Sequence, residues 1–309
     1  MGTPTHPSLG RRVKRAFDAG VGFVAVALLK LLRLTNRQRM ANVLGRLMRV
    51  VGPWLPEHRV GRANLAAAFP DKSPAEIDAI LAGVWDNLGR VAAEFAHLDR
   101  LKVLDFERGG DADVVYDRSS YDGFLAIRAS GKPSLVFAAH LANWEIPALA
   151  AAAYHLPSNV LYRRPNIGAV NDAVLKMRAG CMGTLVAAGL DAPVRLANAL
   201  ERGEQVGMLV DQHYVKGVDV VFFGRWVKAN PLIAQLARLT ECPIRGVRVV
   251  RLADRNRFWG EVTEPLTLPR DAAGKIDIQG AMQAITAMIE GWVREHPEQW
   301  LWLHRRWRD

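Results

Sequence analysis

Three short apolar runs, each bounded by turn-forming or polar residues, lie in the middle of this chain, at residues 135–139, 159–162 and 206–210. Runs of this length are typical of strands that are buried on both faces. Stretches of helical length lie between them, at residues 145–154, 167–178 and 193–200. The alternation of strand and helix predicts an α/β fold with a mostly parallel central sheet flanked by helices.

A further helix is predicted to begin at Ser73-Pro74-Ala75-Glu76, a capping box with proline at the first helical position. Apolar residues follow at helical spacing: Ile77, Ile80, Leu81, Val84, Leu88, Val91 and Phe95. The pattern indicates a packed amphipathic helix. Two other residues of this segment are interpreted as a core tryptophan, Trp85, and a surface glutamate, Glu94.

Polar residues follow each of the three predicted strands directly. His140 follows the first, Arg163 and Arg164 follow the second, and Asp211 follows the third. In a parallel sheet the carboxyl ends of the strands meet at one edge, and open α/β sheets bind their ligands there. We therefore expect these side chains to share a site, although a solvated surface charge remains the alternative for each arginine.

The segment from His140 to Glu145 carries the strongest candidate chemistry. Five residues along a regular helix correspond to a rotation of about 500°, which points the two side chains apart. If His140 lies on the loop after the strand and Glu145 in the first helical turn, the carboxylate can fold back and hold one ring nitrogen protonated. Pro147 suits a helix that begins near residues 143–145. This arrangement predicts that His140 acts as a general base.

The N-terminal segment combines positive charge with an apolar run. A basic cluster at residues 11–15 precedes apolar residues 19–29, which are flanked by Asp18 and Lys30. The run is shorter than the roughly 20 residues of a membrane-spanning helix. It predicts a membrane-associated helix that lies in or dips into the bilayer surface. The alternative is a signal peptide, but no small-residue cleavage site follows. Residues 1–35 are assigned to this anchor and 36–309 to a single α/β domain.

Composition limits the classes of partner and cofactor. Lys and Arg number 41 against 31 Asp and Glu, so the net charge of +10 favours an anionic partner. A membrane surface fits better than nucleic acid, for which the chain carries no recognisable motif. Cys181 and Cys242 provide neither a disulfide framework nor metal-ligand spacing, and the histidines fall in no zinc pattern. We expect no metal and no cofactor.

Several segments together resemble one enzyme family, the late acyltransferases of lipid A biosynthesis. The segment His140 to Glu145 resembles that family's motif of a histidine and a glutamate separated by four residues. The resemblance extends to three further segments: residues 62–65 with 69–70, residues 85–90, and the tryptophan- and arginine-rich residues 296–307. The family is related to the glycerolipid acyltransferases, so the resemblance implies their fold.

The resemblance also implies an activity: transfer of a fatty acyl group from an acyl carrier protein thioester to a hydroxyl of a lipid A precursor. It implies an inner-membrane enzyme that works at the cytoplasmic face. His140 would be the base and Glu145 its partner. The family pattern further implies Arg178 and Asp211 as site residues, and Lys176 and the Arg163-Arg164 pair compete with Arg178 for this role.

The chemistry of acyl transfer adds expectations of its own. The chain has no Gly-x-Ser-x-Gly segment, and Cys181 has no neighbouring base in the sequence, so direct attack by the acceptor hydroxyl is the simpler mechanism. The oxyanion needs hydrogen-bond donors, which we expect from backbone amides near Asn143 or from Arg178.

Two alternatives to this function stay open. The nearer one is a member of the same family that acylates another lipid alcohol, such as a glycolipid, an ornithine lipid or a polyene-linked acceptor, with acyl-coenzyme A as a further donor. The more distant one is a non-catalytic lipid-binding protein.

Two residue roles also stay open. The alternative for Trp85 and Glu94 is that they line an acyl-chain groove. The alternative to core packing for the C-terminal residues is that they bind a membrane interface or a phosphate: Trp300, Trp302 and Trp307 with Arg305, Arg306 and Arg308.

Overall fold

A computed structural model describes residues 9–165 and 167–307, with side chains from residue 19 onward. The helices of this part of the chain are α1 Leu9–Arg33, α2 Arg37–Val51, α3 Pro56–Ala68, α4 Pro74–Phe95, α5 Arg118–Ser130, α6 Ile146–Ala153, α7 Gly168–Ala179, α8 Ala192–Glu201, α9 Leu232–Thr240 and α10 Ile278–Glu295. The strands are β1 Val114–Tyr116, β2 Leu135–Ala138, β3 Ser158–Tyr162, β4 Thr184–Ala187, β5 Gln205–Leu209, β6 Val218–Phe222, β7 Arg225–Ala229, β8 Ile244–Arg251 and β9 Phe258–Val262.

A seven-stranded sheet forms the centre of the described structure, in the order β1-β9-β8-β2-β5-β3-β4. Only the β8–β9 pair within it is antiparallel. Strands β6 and β7 form a separate antiparallel hairpin. The prediction of a mostly parallel sheet flanked by helices is therefore confirmed. The parallel pairs require crossover connections, which the intervening helices provide.

The two faces of the sheet are packed differently. On one face, α8, α9 and α10 cover β2 and β5 in a continuous apolar core, in which the rings of Phe137 and Trp292 stack at a centroid distance of 5.6 Å. On the other face, α5 and α6 form a second core with Tyr116, Tyr154 and Phe258. Residues such as Val136 and Val160 on this second face remain only half-buried. The open space beside them is the cavity described below.

The predicted capping box at the start of α4 is confirmed, because the Ser73 hydroxyl accepts from the Glu76 backbone while the Glu76 carboxylate accepts from Ser73. Trp85 is a core residue, as predicted, and its ring nitrogen donates to His58. The prediction of a surface position for Glu94 is wrong. Glu94 is fully buried, because Arg251 and Asn143 satisfy its carboxylate inside the protein.

The C-terminal tryptophans pack in the core. Trp300 and Trp302 are fully buried and meet edge to face at 4.7 Å, and Trp307 stacks on Phe222 at 5.6 Å. Arg306 is buried as well and donates to a backbone carbonyl of β7, and burial lowers the pKa of its guanidinium to about 10. Arg308 lies outside the described residues. Packing therefore accounts for these tryptophans, which fill the space between the sheet and the β6–β7 hairpin.

Helix α1 contains the predicted apolar run. Its last residue, Arg33, forms an ion pair with Asp99 across 2.6 Å. Among the described residues, none of the helices combines the length and the apolar character needed to cross a bilayer. The basic cluster at residues 11–15 has helical backbone, and its side chains lie outside the described part of the structure.

Candidate active site

His140 lies just beyond the carboxyl end of β2, and Asp211 lies just beyond the carboxyl end of β5. The two strands pair in parallel with Ala138 opposite Leu209, so the two polar residues emerge at the same level of the sheet. The ring nitrogen Nδ1 of His140 lies 2.7 Å from a carboxylate oxygen of Asp211. The second carboxylate oxygen accepts from the His140 backbone N–H at 2.8 Å and from the indole of Trp300 at 2.7 Å.

These contacts determine the electrostatics of Asp211, which is only 3% exposed. Burial by itself raises the pKa of this carboxyl group, but the attraction of the His140 ring and its hydrogen bonds outweigh burial and hold the pKa well below its usual value. Asp211 is therefore ionised at neutral pH. A carboxylate at Nδ1 keeps the proton on that nitrogen and leaves Nε2 as the acceptor.

The second ring nitrogen of His140 faces the opening of the site. Nε2 lies 3.3 Å from the side-chain amide nitrogen of Gln212, which is exposed. The ring of Trp144 lies 5.3 Å from the imidazole ring, centroid to centroid. The basic nitrogen is thus close to solvent and beside an aromatic wall. An exposed glutamine can move aside for a substrate hydroxyl, whereas the buried Asp211 is fixed.

The predicted contact between Glu145 and the imidazole is wrong. Glu145 is the cap residue before α6, and its carboxylate accepts two hydrogen bonds from Arg178, one of them from Nε at 2.9 Å. Helix α6 begins at Ile146, one residue beyond the predicted start, with Pro147 in its first turn as expected. The carboxylate therefore points toward α7 and not back along the loop, because the half-buried Arg178 guanidinium gives it two charge-assisted hydrogen bonds.

Arg178 and the other predicted basic residues occupy three different environments. Arg178 lies over the ring of Phe95, and its Nη1 makes no hydrogen bond to a described residue. Arg163 is exposed and lines the same cavity as His140, whereas Arg164 is exposed and does not line it. Arg178 is therefore a cation held at the histidine loop by Glu145, and its Nη1 is not engaged by a described residue.

Asn143 is fully buried and faces away from the cavity. Its side-chain nitrogen donates to Glu94 at 3.0 Å, and its side-chain oxygen accepts from the Glu145 backbone at 3.2 Å. Its neighbour Ala142 has a φ of 47°, an unusual value for a residue with a Cβ. Asn87 and Gln299 hold that strained residue through its carbonyl and its N–H. The side chain of Asn143 thus positions the loop that carries His140 and Glu145.

A cavity of about 680 Å³ opens at His140 and extends along the sheet between β2, β5 and β3 and the helices α5 and α6. Its mouth is polar, with His140, Glu145, Arg178 and Arg163. Its interior is mostly apolar, lined by residues that include Val136, Ala138, Val160, Ile127, Met182 and Leu209. Trp85 and Glu94 are not among the lining residues, so the proposed groove at these positions is not formed. A cavity of this size accommodates a drug-sized or fatty acyl ligand.

Cys181 offers no nucleophile at this site. Its thiol donates to the carbonyl of Met177 at 3.3 Å, and burial raises the pKa of the thiol, which keeps it protonated. The His140 imidazole, with Asp211 behind it, is a group at the cavity that is suited to take up a proton, and the chemistry it supports is activation of a hydroxyl.

The residues that the sequence analysis missed at this site are Trp300, Trp144 and Gln212. The C-terminal segment forms an isolated backbone bridge between Leu141 and Trp300, which brings Trp300 to Asp211 across 89 positions of sequence. No local pattern encodes that contact. Trp144 and Gln212 are sequence neighbours of predicted residues, and their position directly after a strand or before a helix was the available signal.

Fold and site together define the class of protein: an α/β enzyme with an acyltransferase-like histidine at the mouth of an apolar cavity. The model of the family described as bacterial lipid A biosynthesis acyltransferase matches residues 12–309. The chain belongs to this family and is an acyltransferase, as the motif resemblance implied. A comparison with the curated proteins found no match.

Proposed function

We propose that the protein is a membrane-associated O-acyltransferase that moves a fatty acyl group from an acyl carrier protein thioester to a hydroxyl of a lipid A precursor. The observation that carries the proposal is the 2.7 Å contact between His140 Nδ1 and Asp211 at the mouth of an apolar cavity. Family membership supports the acceptor class. The acceptor hydroxyl is uncharged at neutral pH and needs a base as it attacks, and a positioned base contributes roughly 10²- to 10⁴-fold in rate.

In this mechanism, Nε2 of His140 accepts the proton of the acceptor hydroxyl as its oxygen attacks the thioester carbonyl carbon. The imidazolium that forms is stabilised by the buried carboxylate of Asp211. The carbon–sulfur bond then breaks, and the leaving thiolate takes the proton back from the imidazolium. The products are the acylated lipid and the free thiol, and no acyl-enzyme forms.

Arg178 is the donor that we assign to the developing oxyanion. Glu145 fixes its Nε and Nη2, which leaves Nη1 available to the carbonyl oxygen at the cavity mouth. Removal of one such donor typically costs about 10²- to 10³-fold in rate. Glu145 therefore acts through Arg178 as a positioning residue. The expected contribution of backbone amides near Asn143 remains a prediction.

The acyl carrier protein, which carries the acyl group in this proposal, meets positive charge at the entrance of the cavity. Arg163 lines the cavity and Arg164 is exposed beside it in sequence, so both are available to an anionic carrier or to the phosphates of the acceptor. Acyl-coenzyme A carries the same kind of charge. The experiment below separates the two donors by offering each of them in turn.

Association with the cytoplasmic face of the inner membrane is part of the proposal. Val24, Leu28 and Leu31 of α1 recur at helical spacing and are all exposed. A second exposed stripe with the same spacing follows on α2, formed by Val43, Leu47 and Val50. Soluble monomers rarely expose large contiguous apolar patches, and lipid would remove these side chains from water.

The proposal is tested with the full-length protein in detergent, a labelled acyl carrier protein thioester or acyl-coenzyme A, and a panel of lipid acceptors. His140→Ala and Glu145→Ala are expected to abolish transfer, the first by removal of the base and the second by release of Arg178, with circular dichroism unchanged. His155→Asn is the control, because His155 is exposed with a φ of 56° that asparagine tolerates. Near-normal turnover by folded His140→Ala would remove the proposed base.

The acceptor panel distinguishes the remaining alternatives. Acylation of a glycolipid or an ornithine lipid, with no reaction on a lipid A precursor, would assign a different acceptor to the same chemistry. Complete inactivity on every donor and acceptor would favour a lipid-binding protein without activity.

A further inference from the structure

The cavity has a long axis parallel to the strands. His140, Ala138, Val136 and Ser134 alternate along β2 and its extensions on one face of the sheet, and all four line the cavity. Six residues at about 3.3 Å each separate the levels of His140 and Ser134, which corresponds to roughly 20 Å. The far end is closed by buried polar groups, because the Ser134 hydroxyl bonds to Gln205, whose amide donates to the Lys132 carbonyl. The cavity thus has a base at its mouth and a polar floor.

Gly207 lies partway between these ends, in the interior of β5. It pairs with Val136 on one side and with Val160 on the other, and all three residues line the cavity. A Cβ placed on Gly207 would meet no atom within 4 Å. Gly246 on β8 differs, because a Cβ there would lie 2.8 Å from the ring of Trp292. Gly246 is therefore required by packing, whereas Gly207 is not.

The backbone does not explain Gly207 either, since its φ is not in the left-handed region. Glycine inside a strand costs about 0.5–1 kcal/mol relative to a residue with a side chain. Gly207 therefore weakens a central strand, and neither packing nor backbone conformation requires it. We take this as an indication that the cavity space beside Gly207 has a function.

We propose that Gly207 sets the length of the acyl chain that the cavity accepts. The proposal rests on the acyltransferase function above and assigns the cavity to the fatty acyl group of the donor. The chain enters beside His140, passes over Gly207 between Val136 and Val160, and ends against the Ser134–Gln205 floor. Gly207 lies at the level of Val136, four residues or roughly 13 Å from the level of His140, so a side chain at position 207 would leave space only for a short chain.

The test is Gly207→Val, studied by displacement of a fluorescent fatty acid with octanoate, laurate and palmitate. We expect octanoate affinity to change by less than about twofold and palmitate affinity to fall by at least about tenfold, because the distal methylenes lose their space. The melting temperature is expected to stay the same or rise, because valine favours strand conformation. Val160→Ala enlarges the same row of the cavity and is expected to keep or raise palmitate affinity. The matched control is Thr184→Val, at an exposed position of β4 that does not line the cavity, and native palmitate affinity is expected for it.

A double variant, Gly207→Val with Val160→Ala, is expected to recover part of the lost palmitate affinity. Three results would each overturn the assignment. The first is native palmitate affinity in folded Gly207→Val, and the second is an equal loss of affinity for octanoate and palmitate in that variant. The third is that the native chain binds no fatty acid. Transfer assays with donors of the same three chain lengths separate this inference from the proposed function. A native chain that binds fatty acids with the expected length dependence but transfers none would refute the function and retain the role of Gly207.

Discussion

At the scale of single residues, Asp211 connects the core of the protein to His140, the proposed base. One carboxylate oxygen contacts the His140 ring, and the other accepts from the His140 backbone and the Trp300 indole. The side chain is almost fully buried, so solvent does not weaken these contacts. Asp211 therefore fixes both the orientation of the imidazole and the nitrogen that carries its proton.

The first prediction concerns this orientation. In Asp211→Asn, a side-chain amide replaces an acceptor-only group, so the proton can move to the wrong ring nitrogen. We expect kcat to fall by roughly 10²- to 10⁴-fold with little change in KM, because Asp211 lies behind the histidine and away from the cavity. Steady-state kinetics with a fixed donor measure both constants.

The control for this change is Asp219→Asn, since Asp219 is an exposed carboxylate that pairs with Lys228 on the β6–β7 hairpin. Asp219→Asn is expected to have the kcat and KM of the native chain. A kcat for Asp211→Asn within a few-fold of the native value would show that the imidazole does not depend on this carboxylate.

At the scale of elements, a buried ionic network holds the loop between β2 and α6 against α4. Glu94 of α4 accepts from Arg251 of β8 and from Asn143 of the loop, and Asn87 donates to the Ala142 carbonyl at 3.0 Å. The network offsets the strain at Ala142, whose φ is 47°. The loop that carries His140 thus depends on a helix that is far from it in sequence.

The second prediction concerns this network. Glu94→Gln removes a buried negative charge and leaves the Arg251 guanidinium without its ionic partner. Loss of one member of a buried pair typically costs about 3–5 kcal/mol of unfolding free energy. Urea unfolding followed by tryptophan fluorescence measures the change.

The double variant Glu94→Gln with Arg251→Met supplies the comparison for Glu94→Gln. It removes both charges and is expected to regain part of the lost stability, since no uncompensated charge remains. Full native stability in Glu94→Gln alone would mean that the pair does not contribute as its burial indicates.

At the scale of the whole molecule, exposed apolar stripes on α1 and α2 distinguish the N-terminal helices from the remainder of the described structure. Phe23 is 76% exposed and Trp54, just beyond α2, is 80% exposed. Arg33 at the end of α1 pairs with Asp99, which connects this helix to the remainder of the chain. The net charge of +10 adds attraction to anionic lipids.

The third prediction concerns membrane binding. Deletion of residues 1–33 should move the protein from the membrane to the soluble fraction, but it also removes the ion pair of Arg33. The double variant Leu28→Asp with Leu31→Asp keeps Arg33 and its ion pair. We expect its binding to vesicles that contain phosphatidylglycerol to fall by about tenfold or more, because two apolar side chains of the stripe become charged. Vesicle flotation measures the bound fraction.

Leu239→Asp is the matched control for Leu28→Asp made alone. Leu239 is 72% exposed on α9, so each of these single variants exchanges one exposed helical leucine for one aspartate, and Leu239→Asp is expected to leave vesicle binding unchanged. Unchanged flotation of the Leu28 and Leu31 variant would refute the proposed membrane surface.

The sequence by itself determined the local structure of this protein. Apolar runs and helical periodicity placed β2, β3 and β5 and the helices α4, α6, α7 and α8 within one or two residues of their observed bounds, because burial and capping act between near neighbours. Strands β1, β4 and β6 to β9 were not predicted. Strand β4, Thr184–Ala187, is as long as β2, but it lies at the edge of the sheet with an exposed first residue, so it does not form a fully buried apolar run. The motifs also identified the family, and they placed His140, Asp211 and Arg178 among the site residues.

Only the tertiary structure decided which of these groups meet. His140 and Asp211 are 71 residues apart, and they touch because β2 pairs with β5 in a particular register. Glu145 is five residues from His140 but binds Arg178, 33 residues away. Strand order and helix packing result from burial summed over the whole core, so no local pattern of residues specifies them. The sequence named Asp211 as a site residue, but only the assembled sheet showed that its carboxylate, and not that of Glu145, contacts the His140 ring.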